Sequence, residues 1–216
     1  MPIIIRNISR LLFILPGALL VACATQQMHS TTHHLDIALQ QDELKSHGLA
    51  FITPSTVTGQ EEDKQTLAFI FADVMKEMRP DIRLVTLPET LSAINRAGIA
   101  DEYKRMYVDY RDTGIFKRDI LAAVGKATGA RYLAQMKLSS FSQNSRSRFS
   151  ALGLRMFQTK AASIRVFFQV WNSLDGTIVW EGTEEMIMSR ETSTEKPVSF
   201  SVIAEETARN LISQLP

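Results

Sequence analysis

An alternating run and a tight turn near the C-terminus constrain the fold of this chain more than any other feature. Apolar side chains occupy every second position from Ile164 to Val170, while Phe167 and Trp171 fall on the opposite face. The residues Asn172 to Gly176 (NSLDG) are typical of a hairpin turn, and Thr177 to Met188 is predicted as the returning strand. The pattern therefore predicts an antiparallel β-hairpin with one buried face.

The two tryptophans of the chain flank this turn. We expect Trp171 and Trp180 to lie near each other across the strand pair, where aromatic neighbours stabilise a hairpin. The hairpin from Phe167 to Trp180 is thus predicted to be core scaffold, with the functional surface elsewhere.

Further strand and helix patterns predict one mixed α/β domain. Strands are expected at 48–53, 82–86 and 131–141, and helices at 61–78, 88–97, 100–110, 118–127 and from about 197 onward. The order β-α-β-α-α-α-β-β-β-α indicates a mixed sheet of about five strands with helices packed on its faces. We expect the first strand to be central with the second, parallel strand beside it. The last three strands should form an antiparallel extension.

The first 22 residues have the organisation of a secretory signal peptide. Arg6 and Arg10 precede an apolar run from Leu11 to Ala22, which is shorter than the ~20 residues needed to span a bilayer. The residues Leu20 to Cys23 (LVAC) resemble the bacterial lipobox, and the chain has no other cysteine. The resemblance implies cleavage before Cys23, a diacylglyceryl group on its thiol and acylation of the new N-terminus. The alternative is an ordinary buried cysteine.

The residues after the cysteine bear on the anchor and its surroundings. By resemblance to enteric lipoproteins, Ala24 in place of an aspartate favours the outer membrane and a periplasmic location. Residues 23–47 are predicted to be a lipidated N-terminus and flexible tether, and 48–216 a single periplasmic domain. His29, His33 and His34 fall in this polar segment, which lacks the fixed geometry of a metal site.

The charge distribution suggests one basic surface. The net charge of +1 argues against a nucleic-acid binder. A basic stretch without acids, 120–174, precedes an acidic one. Residues 139–150 are predicted to be a loop, and we take Arg146, Arg148 and Arg155 as candidates for binding lipid headgroups or an acidic protein face. The alternative is a solvated loop.

A second candidate surface is carried by a predicted helix. Tyr103, Tyr107 and Tyr110 recur at helical spacing between 100 and 110. They are either an amphipathic face that packs on the core or the anchors of a partner-binding face, where tyrosine is enriched.

No arrangement of reactive residues appears in the sequence. It contains no Gly-x-Ser-x-Gly elbow, His-Glu-x-x-His motif or phosphate-binding glycine loop. The acid pairs Asp101–Glu102 and Glu184–Glu185 are sequence neighbours, so their side chains should point apart. We therefore predict no enzyme activity, no metal and no cofactor.

Three stretches resemble one group of proteins: GLAFIT, RDILAAVGKATGARYLAQMKL and VFFQVWNSLDGTIVWEGTEE. They are similar to periplasmic lipoproteins with the curli-secretion-protein core, a group that includes the penicillin-binding-protein activator lipoprotein. The amino-terminal domain of the Tol periplasmic protein is a more distant member. The resemblance covers 48–216, although Asn172 stands where an aspartate is common and no Thr-Gly precedes the second strand. It implies an α/β core and a non-catalytic interaction module with an envelope protein partner.

The same resemblance leaves two alternative functions open. Secretion members of the group build an outer-membrane pore from long amphipathic hairpins, whose strands need ~9–11 alternating residues. Residues 139–163 are rich in Arg and Ser and show no two such runs, so we disfavour a channel. A homo-oligomeric subunit of a secretion or transport complex, and an envelope hydrolase, remain the alternatives.

Overall fold

A single mixed sheet organises the protein, which is described by a computed structural model. The structure describes residues 26–57, 61–151, 154–192 and 198–216. Within them the strands are β1 (Gln26–Asp36), β2 (Leu49–Phe51), β3 (Ser55–Thr56), β4 (Leu84–Val85), β5 (Tyr132–Ala151), β6 (Leu154–Asn172) and β7 (Thr177–Thr192). The helices of the same residues are α1 (Glu43–His47), α2 (Glu61–Met78), α3 (Leu87–Arg96), α4 (Ala100–Thr113), α5 (Arg118–Thr128) and α6 (Phe200–Ile212). The predicted α/β class is confirmed and the predicted elements occur in the expected order, while β1, β3 and the short helix α1 are elements beyond those expected.

The strand order is β1-β7-β6-β5-β2-β4, and β3 pairs with β5 beyond the end of β2. Strand β2 is parallel to both β4 and β5, whereas β5, β6, β7 and β1 are antiparallel in turn. The first predicted strand thus lies between the second and the antiparallel block, as expected.

Helices cover the two faces of the sheet unequally. One face packs on α2 and α6, whose Leu67, Phe71 and Ile203 join Phe51 and Phe168 in the larger core. The other face packs on α3, α4 and α5 around a smaller core that includes Met106 and Leu121. This smaller core reaches only the part of the sheet near β2, the first residues of β5 and the strand ends of β6 and β7 next to the turn. The rest of the second face is left without a covering helix in the described part of the chain.

The two tryptophans lie on opposite faces, so the expected pairing across the turn is wrong. A register shift pairs Val170 with Trp180 but Trp171 with Ile178. Trp180 is fully buried and meets Phe168 edge-on in the larger core, with ring centroids 5.8 Å apart. Trp171 is 3% exposed and belongs to the smaller core. The hairpin is therefore core scaffold on both faces, with one tryptophan in each core.

Gly182 has a steric role beside Trp180. A Cβ at this position would collide with the indole ring and with the Leu211 side chain of α6. Glycine therefore lets the ring lie against the strand.

The predicted flexible tether is wrong for the described residues before the domain. Strand β1 pairs with β7 along its whole length, from Gln26 opposite Arg190 to Asp36 opposite Trp180. The next three backbone N–H groups, of Ile37, Ala38 and Leu39, all donate to the Val179 carbonyl. Polar composition misled the prediction because β1 is an edge strand, held by backbone hydrogen bonds rather than by an apolar face.

The predicted loop at 139–150 is also wrong. Strand β5 continues to Ala151, and its residues stay paired with β6 as far as Ala151 opposite Leu154. The pairing satisfies the backbone groups of a strand whose side chains show no apolar alternation, so the sequence period does not reveal it. We call residues 146–151 of β5 and 154–159 of β6 the arm.

Among the described residues, none of the helices is long and apolar enough to cross a membrane.

A buried carboxylate joins β1 to the rest of the domain. Glu184 is fully buried, and its two oxygens accept hydrogen bonds from different elements. The Asn210 Nδ2 of α6 donates to Oε1 at 2.8 Å, and the Thr32 hydroxyl of β1 donates to Oε2. Each donor offsets part of the cost of taking the carboxylate out of water.

We predict that Thr32→Val lowers the free energy of unfolding by ~1–3 kcal/mol, because it leaves one oxygen of Glu184 buried without its donor. Thr31→Val is the matched control, since Thr31 is the exposed neighbour on the same strand. It should change stability by less than about 0.5 kcal/mol. Urea unfolding followed by tryptophan fluorescence measures both. Equal stabilities of the two variants would show that β1 does not dock.

Candidate interaction surfaces

A cleft opens where the second face of the sheet loses its helical cover. It has a volume of about 640 Å³ and lies between α4, the segment 53–57 and β5. A second cleft of about 260 Å³ shares Tyr110, Gly114 and Lys137 with it and continues over β6 and β7. We call the two together the groove. The larger cleft is lined by Thr53, Pro54, Ser55, Thr56, Val57, Lys64, Tyr107, Tyr110, Arg111, Gly114 and Lys137.

Tyr103 fixes the wall of the groove. Its hydroxyl accepts a hydrogen bond from the Thr53 N–H at 2.9 Å and lies 3.0 Å from the Thr53 hydroxyl. Only 7% of the residue is exposed, so it belongs to the smaller core. Of the three tyrosines considered for a partner-binding face, Tyr103 therefore positions the wall from behind.

Tyr107 and Tyr110 line the groove itself. The Tyr107 hydroxyl lies 3.2 Å from that of Tyr103, and the Tyr110 ring stacks on Phe116 with centroids 4.1 Å apart. The Tyr110 hydroxyl donates to Gln169 Oε1 at 3.4 Å. Both residues are half-buried. Both interpretations of the sequence, a face that packs on the core and a face that binds a partner, apply to these two residues. One edge of each ring packs inward and another faces the cleft.

Burial moves these hydroxyls further from ionisation. It raises the pKa of Tyr107 well above its ordinary value, and the nearby Tyr103 phenol adds to the effect. Burial likewise raises the pKa of Tyr110, helped by the charge of Glu181. A phenol is neutral at physiological pH even at its ordinary pKa of about 10, so both tyrosines can serve as hydrogen-bond donors.

Positive charge dominates the larger cleft. Lys64, Arg111 and Lys137 line it, and its described lining contains no carboxylate. Lys137 is half-buried and has no ion-pair partner within the described part of the chain. Arg111 pairs with Asp112 at 3.3 Å, but both side chains are mostly exposed and such pairs contribute little. The cleft therefore suits a carboxylate or another anionic group.

The floor of the groove carries an unsatisfied acceptor. Gln135 is 1% exposed; its Nε2 donates to the Ser55 hydroxyl at 3.1 Å, while its Oε1 has no partner among the described residues. In the smaller cleft, Glu181 accepts a hydrogen bond from Gln169. A ligand N–H or O–H that reached Gln135 would remove the cost of its unpaired oxygen.

The sequence did not single out Gln135 or Lys137. The available signal was their alternation with the apolar Ala134, Met136 and Leu138, which puts polar side chains on the less covered face of a central strand.

The candidate arginines lie far from the tyrosines. Arg146 is opposite Thr159 and Arg155 opposite Ser150, while Arg148 falls at a register shift, so all three are in the arm. Strands rise about 3.3 Å per residue, so Arg146 is roughly 30 Å along β5 from Lys137. The structure thus separates the sequence candidates into two surfaces at different places on one sheet.

The remaining candidates from the sequence, which are the acid pairs, the histidines and Cys23, do not come together in one site among the described residues. Glu184 is buried and Glu185 exposed, which confirms that this acid pair points apart. Among the described residues no group of His, Cys, Asp or Glu side chains could hold a metal ion. His33 and His34 lie in β1, where the His34 ring stacks on Trp180. Cys23 and the predicted signal peptide fall outside the described residues.

Comparisons with known proteins identify only distant structural likenesses. No family model matches the chain, and no curated protein does. A PelC dodecamer structure from Paraburkholderia phytofirmans is 12% identical with a TM-score of 0.46, over 88% of this chain and 98% of that one. Lipoprotein GNA1162 from Neisseria meningitidis is 10% identical with a TM-score of 0.40, over 77% and 98%.

The C-terminal domain of LpoB from Salmonella enterica is a third such structure. It is 12% identical with a TM-score of 0.36, over 64% of this chain and 82% of that one. Similarity at this level does not assign a function, so the function must be argued from the residues of this chain.

Proposed function

We propose that this protein is a lipoprotein, anchored on the periplasmic face of the outer membrane, that acts as a non-catalytic protein-interaction module of an envelope assembly. The observation that carries the proposal is the groove, whose cations and neutral tyrosine hydroxyls suit binding. The lipobox-like Leu20 to Cys23 supports the anchor.

The groove favours an acidic segment of a protein partner. Lys64, Arg111 and Lys137 supply positive charge around one cleft, and charge-assisted hydrogen bonds to carboxylates are stronger than neutral ones. Tyr107 and Tyr110 add aromatic surface with a polar end, a combination that is common in binding hot spots. The opening to solvent admits a chain segment rather than only a small molecule.

The same groove lacks the geometry of general acid–base catalysis. Such catalysis needs a group that titrates near the working pH within hydrogen-bond reach of the reacting group. Here the tyrosine pKa values are raised away from neutrality. The carboxylate of the smaller cleft, Glu181, is hydrogen-bonded by an amide rather than by a nucleophile. These contacts support a binding role.

The anchor is tested by metabolic labelling with an alkyne fatty acid. Wild-type protein should be labelled and Cys23→Ser should not, because the thiol is the group that receives the diacylglycerol. The Ala24→Asp variant should still be labelled, but it should fractionate with the inner membrane. Equal labelling of wild type and Cys23→Ser would refute lipidation, whereas wild-type protein in the inner membrane would refute only the sorting.

The groove is tested by placing a photo-crosslinking amino acid at Val57, which lines the larger cleft and is 68% exposed. We expect irradiation of intact cells to trap a discrete partner band there. Val108 is the matched control: it is 44% exposed on α4 but does not line the cleft. The control position should give no such band.

Charge reversal checks that the trapped contact depends on the groove cations. Arg111→Glu should weaken the Val57 band, while Lys104→Glu should not, since Lys104 is exposed on the same helix away from the cleft. Both variants change the net charge equally, which removes overall charge as an explanation. A Val57 band that is absent, or that Arg111→Glu leaves unchanged, would count against the acidic partner.

The arm favours a second candidate, a subunit of a secretion or transport complex. The argument against a pore-forming hairpin relied on the absence of long strands at 139–163, and β5 and β6 are in fact long paired strands there. Light scattering of the full-length protein in detergent separates the candidates. We expect a monomer or dimer, because the groove binds a different chain. A discrete ring of many subunits would favour the secretion candidate.

A further inference from the structure

We propose that the arm is a second membrane contact, which binds anionic lipid headgroups beside the acyl anchor and sets the orientation of the domain. The inference rests on the proposed lipidation of Cys23. It follows from three observations. The first is the position in the sheet of Gln26, the first described residue. The others are the distance by which the arm extends beyond Gln26 and the charges of the arm.

The first described residue lies in a row that crosses four strands. Gln26 of β1 is opposite Arg190 of β7, Arg190 is opposite Lys160 of β6, and Lys160 is opposite Ser145 of β5. Cys23 precedes Gln26 by three residues, and an extended chain spans at most ~3.6 Å per residue. Its lipidated sulfur must therefore lie within roughly 15 Å of this row, so the membrane surface passes close to the same end of the sheet.

The arm extends past the anchor. Beyond the row, β5 continues from Arg146 to Ala151 at about 3.3 Å per residue, which is roughly 20 Å. The arm therefore reaches at least as far from the row as the anchor does. If the strands run roughly along the membrane normal, a domain held by Cys23 brings the arm into the headgroup layer.

The charge of the arm matches an anionic surface. Residues 145–160 contain Arg146, Arg148, Arg155 and Lys160 and no acid. Lys160 also stands directly opposite Arg190, and neither has an ion-pair partner among the described residues. Like charges in this position are destabilising, and an anionic headgroup would relieve their repulsion.

Large apolar residues interleave with these cations. Phe149 pairs with Phe157 in the arm, and Leu154 and Met156 belong to the same strand end. Aromatic and apolar residues beside arginines are typical of segments that lie at a membrane interface. The acyl chains on Cys23 would already make anchoring stable, so such a segment would add orientation rather than attachment.

A fluorescence experiment on the full-length lipoprotein tests the arm. The sulfur of an acylated Cys23 is blocked, so Ala151→Cys introduces a single free thiol for an environment-sensitive dye. In liposomes of phosphatidylethanolamine and phosphatidylglycerol, a nitroxide on the lipid headgroup should quench this dye. Leu174→Cys is the control, because Leu174 is 59% exposed in the turn at the other end of the sheet, roughly 40 Å from the row of Gln26. Its dye should stay unquenched.

Replacing the three arginines separates charge from proximity. In a variant carrying Arg146→Ser, Arg148→Ser and Arg155→Ser, the ratio of bound to free arm should fall about 100-fold. Each arginine at an anionic surface contributes about a factor of five. Quenching at Ala151→Cys should therefore be lost, and more salt should weaken the wild-type signal.

A control variant has the same change in net charge. Arg96→Ser, Lys104→Ser and Lys126→Ser remove three exposed cations from α3, α4 and α5, away from the arm. This variant should keep the quenching.

The outcomes distinguish the arm from the anchor. Unquenched dye at Ala151→Cys in protein that floats with the liposomes would overturn the membrane contact and leave the arm facing a protein partner. Equal quenching at both dye positions would overturn the orientation. Protein that does not float with the liposomes would instead overturn the proposed lipid anchor, on which the inference depends.

Discussion

The pairing of β1 with β7 fixes the point at which the chain before Gln26 joins the sheet. A polar segment that follows a lipid anchor is expected to be a flexible spacer, and a spacer lets a domain take any height or orientation. Here the chain enters the sheet at Gln26 and stays paired to Asp36, and Thr32 gives a hydrogen bond to the buried Glu184. An anchor at Cys23 would therefore hold a rigid sheet directly at the membrane.

The unequal cover of the two sheet faces produces the groove. On the face of Trp180, α2 and α6 close the core from Leu67 to Ile203. On the face of Trp171, α3 to α5 cover only the part of the sheet next to the smaller core, and β5 and β6 continue beyond them. Gln135 and Lys137 lie where the cover ends, so a central strand carries polar side chains at the groove, with Gln135 buried in its floor and Lys137 half-buried. The side chains that could bind a partner therefore lie at the edge of the smaller core rather than inside it.

The sequence predicted those parts of the fold in which one face of an element is apolar. The alternation from Ile164 to Val170 located the hairpin, because burial of that face selects the register. The polar strand β1 and the arm could not be seen this way, since backbone pairing with a neighbour leaves no period in the side chains. The tryptophan pair failed for another reason: the extra residue at Val179 shifts the register of β7 by one and turns Trp180 to the face opposite Trp171.

The two surfaces are mechanically linked because both lie on β5. Lys137 is in the groove and Arg146 in the arm, roughly 30 Å apart along one strand that has no hinge beyond its register shifts. If the arm lies in the headgroup layer, the groove stands about that far into the periplasm. A partner must then present its acidic segment at this height, either from a periplasmic domain or from a chain that spans the gap. In that orientation, residues of a membrane protein at the bilayer surface would be too low to reach Tyr107, so the proposed arm contact would limit which partners can use the groove.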